Sequence, residues 1–392
     1  FAGGSGDNDK IKLRSVADGT GWPMYFTAGA VAMADGVDVQ DSRNTGASVL
    51  ATHSIDSGNN QGWNIIGEIV AGDNYWTGTL GSDWNTGDNW SLGRVPVTDD
   101  HVYISVLDSK PYPVIGSVFA LNRLTVAAGA SLTVNGELTV TNTASVAGSL
   151  DGSGTLALAG VSCDFGNAGI AMAGTLLIGG GANLAVDLAG DTVGSLVLAR
   201  TGGTVSLPSG ATAAKFTFTG SGTAEFGAGQ ALSAADVRID GIVNGAATIT
   251  LKGAAGAVWY LDATKVVLVN GVTANGSHAR ILPVLATGSS QSGTACVNWT
   301  FSGNQCVWSG ADGTADWSAV GNWTGGVPKA GDVVVLPDEA VVVAAEKAAF
   351  HSLFMDAAAA TFMKGFDATG VVEMQSGAVL AADAPTTVAG LF

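Results

Sequence analysis

"TLALAGVSCDFGNAGIAMAGTLLIGGGANLAVDLAGDTVGSLVLAR", Thr155–Arg200, decides the fold. It opens on an apolar pair at alternate positions, Leu156/Leu158. The pair returns as Leu176/Ile178 and Leu196/Leu198, and beyond this stretch as Phe216/Phe218 and Val237/Ile239, in steps of 20, 20, 20 and 21 residues. Alternate residues of a strand face one side, so each pair reads as a short strand with one buried face. A second column, Phe165, Val186, Leu207 and Phe226, follows at nearly the same step. "GGGAN" (179–183), "RTGGT" (200–204) and "TGSGT" (219–223) read as the turns between columns. A fixed period of about 20 residues is the mark of stacked coils. The sequence therefore predicts an all-β chain of parallel β-solenoid (β-helix) segments in tandem, with Leu, Ile, Val and Phe stacked inside. Tandem antiparallel β-sandwich domains are the alternative, since their hairpins are also evenly spaced. Two columns kept in step favour the solenoid.

The pattern extends both ways. "ASLTVNGELTVTNTASVAGSL" (130–150) alternates strongly and joins the ladder. Near the C-terminus, Val334/Leu336, Leu353/Met355 and Val372/Met374 form a second ladder in steps of 19. "AAEKAAFHSLF" (344–354) has a composition compatible with a short helix, but the step of 19 puts a strand at 352–355.

A tryptophan motif precedes each ladder. Trp76 and Gly78 match Trp308 and Gly310; Trp84 matches Trp317, and Asn89-Trp90 matches Asn322-Trp323. Gly93 matches Gly325 or Gly326, Pro96 matches Pro328, Asp100 matches Asp332, and Val102/Ile104 match Val334/Leu336. The motifs divide the chain into an N-terminal β-helix end segment (1–71), a first motif with the central solenoid (72–306), and a second motif with a short solenoid (307–392).

Composition agrees. Of 392 residues 57 are Gly, 47% are apolar and 12% are charged. Val and Thr suit a pleated surface, and Gly supplies positive φ at corners. Mean hydropathy is +0.33, yet no unbroken run of about 18 apolar residues exists, so no membrane span is expected. With 16 Lys plus Arg and a net charge of −17, no basic patch is on hand for phosphates, and nucleic acid is not an expected partner. The sequence opens at Phe1 with no basic-then-apolar leader, so either an export signal is expected to have been removed or the chain is a processed piece of a longer precursor.

The N-terminal run "DVQDS" (38–42) to "SIDSGNNQGW" (54–63) resembles the closing coil of β-helices in large secreted bacterial proteins. The order W, G, W, NW, G, P, D, V, I resembles a module of autotransporter-passenger-like and other surface-exposed β-solenoid proteins, including extracellular filament and adhesin types. The resemblance implies a β-solenoid at the cell surface or outside the cell. It implies no activity.

Two readings compete for the motif. Exposed Trp76, Trp84, Trp90, Trp308, Trp317 and Trp323 would offer flat faces to surface polysaccharide or to another subunit, with Asn and Asp as hydrogen-bonding partners. Buried, the same rings would close the sticky end of a stack of coils. Because both copies stand directly before a ladder, the closing role is favoured. Copies of the chain are the expected partner, packed head to tail: "FAGG" (1–4) and "VAGLF" (388–392) would be poorly anchored alone.

Other chemistry has little support. Cys296 and Cys306 flank "VNWTFSGNQ", where "SGN" reads as a hairpin tip, so a disulfide between them is considered. Cys163 reads as a small buried residue. His53, His101, His278 and His351 keep no zinc spacing. Asp7, Asp9, Asp35, Asp38 and Asp41 leave Ca2+ as the one cofactor open, although no calcium-loop motif is complete. A polysaccharide-degrading enzyme would need three or more of Asp35, Asp38, Asp41, Asp56 and Arg43 to converge in a cleft. The reading favoured is a structural extracellular protein, with a cell-surface adhesin or glycan-binding module as the alternative and no catalytic residues.

Overall fold

The alternating apolar positions form strands that pair in parallel from coil to coil. The computed structural model describes residues 9–17, 19–27, 33–46, 48–65, 72–107, 111–159, 162–165, 169–243 and 246–391. Two compact units, Phe1–Val197 and Leu198–Phe392, divide the chain.

In the first unit, residues 11–65 wind through three short sheets. Ile11–Leu13 pairs with Val37–Val39, which pairs with Ile55–Asp56. Trp22–Met24 pairs with Ser42–Asn44, and Met33–Asp35 with Val49–Thr52 and then Trp63–Ile65. Ala34, Val37, Val39, Val49 and Ala51 fill the interior. These parallel pairings make residues 11–65 a stretch of β-helix.

From residue 73 a longer ladder begins. Asp73–Tyr75 pairs with His101–Ile104, and that strand with the end of Val118–Val126. The sequence columns appear in register: Leu138 lies beside Leu156 and Leu156 beside Leu176, while Val140, Leu158 and Ile178 form the next row. A separate sheet stacks Val114–Ile115, Ser131–Val134, Ser149–Gly152 and Gly169–Met172. Each coil turns its Leu, Ile and Val inward and its Thr and Ser outward, so the period of two within strands and about 20 between them has one cause.

The second unit continues the pattern. Phe216 pairs with Val237 and Phe218 with Ile239. The next step widens, Val237 to Val267, because the small antiparallel hairpin Ile242–Val243 with Ala246–Ala247 is looped out. The C-terminal run has the registers read from sequence: Val334, Leu353 and Val372 in one row, Leu336, Met355 and Met374 in the other. Residues 352–355 are a strand. Within this unit the outward-facing Val266 and Leu268 pack on Val333 and Phe354, so the side of one run of coils rests on the side of the next.

Three local expectations need correction. "RTGGT" and "TGSGT" are not turns; they lie within the long strands Val193–Leu207 and Ala211–Phe226. Glycines at positive φ, such as Gly220 at 88°, bend the strand from one face of the coil to the next without breaking it. "SGN" is not a hairpin tip either. Trp299–Phe301 pairs with Val284–Thr287 and Gln305–Trp308 with Val333–Leu336, each in parallel and in different sheets. Cys296 and Cys306 are therefore not opposed, and neither they nor Cys163 form a disulfide among the described residues. Cys163 is half-buried, not enclosed.

The tryptophan modules as candidate functional site

Each module begins on a strand, loops out through a one-turn 3-10 helix, and returns to the next strand. In the first, Gly87–Asn89 forms that turn; in the second, Val320–Asn322 does. The loop also joins the neighbouring sheet. The Trp84 N–H donates to the Val114 carbonyl, and the Val114 N–H donates to Ser82. In the second copy Trp317 donates to Val343, and Val343 to Ala315. Each module is thus a coil in its own right, hydrogen-bonded as a rung of the stack that follows.

The indoles fill that coil. Trp84 meets Trp90 edge to face at 4.6 Å between ring centroids, and Trp90 meets Trp76 at 4.9 Å. The second copy repeats this with Trp317 and Trp323 at 4.8 Å and Trp308 and Trp323 at 5.0 Å. The third tryptophan donates its Nε1–H to the carbonyl of the second: Trp90 to Trp84 at 2.8 Å, Trp323 to Trp317 at 2.7 Å. Exposure is 0–2% in the first module and 6–7% in the second. Packed on one another, the six rings offer no platform of flat faces like the one a glycan or subunit contact would use; Trp317, at 7%, keeps a small part of its surface open to a neighbouring hollow.

The asparagine of each Asn-Trp pair holds the loop shut. Asn89 Nδ2 donates to Asp83 O at 3.0 Å, and its Oδ1 accepts the Leu80 N–H at 2.6 Å. Asn322 Nδ2 donates to Thr314 O at 3.0 Å and Asp316 O at 3.2 Å, while Oδ1 accepts from Asp312 N–H. Both are fully buried. A buried amide that meets backbone groups on both sides satisfies orphans a loop cannot pair itself.

The aspartate staples the return. Asp100 accepts the Val97 N–H at 2.9 Å, and Asp332 the Lys329 N–H at 2.9 Å. Here the copies differ. Arg94 grips Asp100 with both terminal nitrogens, at 2.6 and 2.8 Å, a bidentate pair that backbone donors cannot imitate. Asp332 instead accepts from Asn304 N–H at 2.9 Å and from the Cys306 thiol at 3.8 Å. Burial, with Asp332 adding to it, pushes the Cys306 thiol up to about 12.

The remaining sequence candidates do not gather. Burial works against the Asp35 carboxylate, but hydrogen bonds from His53 and Thr52 hold it below its usual range. Burial likewise opposes Asp38, and Arg14 and Ser57 hold it low. Asp41 accepts from Gly19 N–H and Asn59 Nδ2, and Asp56 from Gly58 N–H and Asn60 Nδ2. Asp35, Asp38 and Asp41 tie coil to coil, whereas Asp56 closes its own turn. Asp7 lies outside the described residues. Among the described residues no group of three His, Cys, Asp or Glu could hold a metal ion. The histidines are spent separately: His351 Nδ1 lies 2.9 Å from Ser352 Oγ, and His101 Nε2 2.9 Å from Thr125 Oγ1. Burial, with Arg123 nearby, pulls His101 down to about 4, although Asp73 lies 3.8 Å from Nδ1.

The sequence pattern of a domain of unknown function, DUF8693, matches residues 75–159, which cover the first module and the coils just after it. No curated protein matches the chain, and no solved structure does.

Proposed function

We propose that the protein is a structural component outside the cell, a subunit of a self-assembling surface filament, sheath or layer. The observation that carries this reading is the docking of one run of coils on another through outward-facing Val266, Leu268, Val333 and Phe354. Solenoid sides in this chain adhere to solenoid sides. A second apolar row lies on the C-terminal run, where Val341, Ala359 and Val379 stand in register, with Val341 and Val379 among the most exposed large apolar residues. That row suits the same kind of contact with another copy. The acidic, lysine-poor composition fits an extracellular setting and keeps copies apart until salt screens them. The head-to-tail contact proposed for the chain ends rests on Phe1–Gly4 and Phe392, which lie outside the described residues.

Sedimentation and negative-stain microscopy over a concentration series test the reading. Polymers are expected at high concentration and moderate salt, and their loss in a Val341→Asp, Val379→Asp variant. A monodisperse monomer throughout would count against it.

A further inference from the structure

The two modules give the same coil two different fillings. The bridge of Asp83 to Val114 corresponds to that of Asp316 to Val343. The pairing of His101 with Arg123 corresponds to that of Val333 with Ser352. The spacing from 114 to 123 equals that from 343 to 352, so the residues between correspond one to one. Ile115 becomes Ala344, Ser117 becomes Glu346, Val118 becomes Lys347 and Phe119 becomes Ala348. By the Pro96–Pro328 match, Val97 becomes Lys329.

Leu121 becomes the larger Phe350, whose ring lies 5.9 Å from Trp317, but the other exchanges open the coil and charge its rim. Two large apolar side chains shrink to methyls, and three rim positions become charged. In the first module the Phe119 ring lies 5.7 Å from Trp84. In the second a hollow of about 250 Å³ opens there, lined by Trp317, Pro328 and the methyls of Ala344 and Ala348, with Asp316, Ser318, Lys329, Glu346 and Lys347 at its mouth. The core does not pay for it, because Phe366 stands one rung on where the first ladder has Leu138.

The rim charges are not equally committed. Glu346 is paired with Lys364 at 2.6 Å and Lys347 with Asp367 at 2.8 Å. Lys329 has no side-chain hydrogen bond or ion pair among the described residues. An apolar floor, carboxylate and hydroxyl acceptors, and one uncommitted cation together describe a ligand: a compact ring with hydroxyls and a single carboxylate. The volume suits one six-membered ring. We propose that this cleft beside the second module binds a hexuronic acid, free or at the end of an acidic polysaccharide, with Lys329 receiving its carboxylate. The site is independent of the assembly proposed above.

Calorimetric titration of the whole chain at concentrations where it is dispersed tests this, with D-glucuronate, D-galacturonate, a galacturonate tetramer, D-glucose and benzoate as probes. Binding of a free uronate, or of the tetramer alone, is expected; the first places the ligand as a free acid, the second as a chain end. Glucose and benzoate should bind at least tenfold more weakly, since one lacks the carboxylate and the other the hydroxyls. Lys329→Gln, at an exposed site, should weaken uronate binding at least tenfold, and Ala348→Phe, which restores the first module's filling, should abolish it. No uronate binding, equal binding of glucose or benzoate, or an undiminished Lys329→Gln variant would overturn the proposal.

Discussion

At the scale of single residues, the modules depend on groups that meet the backbone. Asn322 bonds two carbonyls and one N–H from a fully buried position. Asn322→Ala leaves those groups unpaired away from water, so it should cost about 1–3 kcal/mol, read as a lower denaturation midpoint. Asn89→Ala should behave alike, and a change no larger than that of an exposed Asn would contradict the role. Cys306 is enclosed and its thiol is pushed up to about 12, so the native protein should react with a thiol reagent at Cys163 and Cys296 well before Cys306. Rapid labelling of all three would refute its burial. Residue identities in the motif were legible in sequence, since two tryptophans, Asn-Trp, Pro and Asp recur in order. Their burial was not, because the same rings serve an open sugar platform or a closed coil. Only the backbone pairing of Trp84 and Trp317 to the adjacent sheet separates the two.

At the scale of elements, period and register follow from the apolar pairs, and the structure places them where the spacing put them. The corners were harder. Gly-rich segments between columns signal positive φ, but a sequence does not say whether the chain then turns or bends and continues. Gly220 does the latter, and a Cβ there would collide with the Arg200 carbonyl of the coil below. Gly220→Ala should therefore destabilise the second unit by about 1 kcal/mol or more, measured by thermal melting, whereas substitution at Gly229, whose Cβ would meet open space, should pay the positive-φ strain alone and cost less. Equal effects would show that the close approach is not limiting. The disulfide expectation failed at this scale too: flanking cysteines around "SGN" look like a hairpin only if the strands pair with each other, and here the chain is passing between sheets.

At the scale of the whole molecule, each unit is a stack of coils, and in the second the sides of the stack have become surfaces for packing. That could not be read from sequence, because outward residues such as Val266 and Phe354 carry no period of their own. Beside that packing in the second unit lies Glu373, 8% exposed. Its Oε2 has no hydrogen-bond partner among the described residues, and its Oε1 accepts from Gln375 at 2.6 Å. Burial raises its pKa above 4.5, with Asp236 and Asp356 adding to the rise and Arg238 and Gln375 opposing it. The packed state thus favours the protonated form. Its contribution is fully present below about pH 4.5 and is lost as pH rises through the raised value. Glu373→Gln should be more stable than the wild type at pH 7, with the difference vanishing near pH 4. A pH-independent difference would rule the linkage out.

The central claim is that the tryptophan modules are coils of the solenoid and not surface loops. Hydrogen exchange read on peptides covering 76–91 and 308–324 tests it most directly. The N–H groups of Thr77, Trp84 and Trp90, and of Trp317 in the second copy, are bonded to backbone carbonyls. They should exchange as slowly as the rungs 138–146 and 353–355 that follow. Exchange of these amides within seconds, as in a loop laid on the surface, would contradict the account.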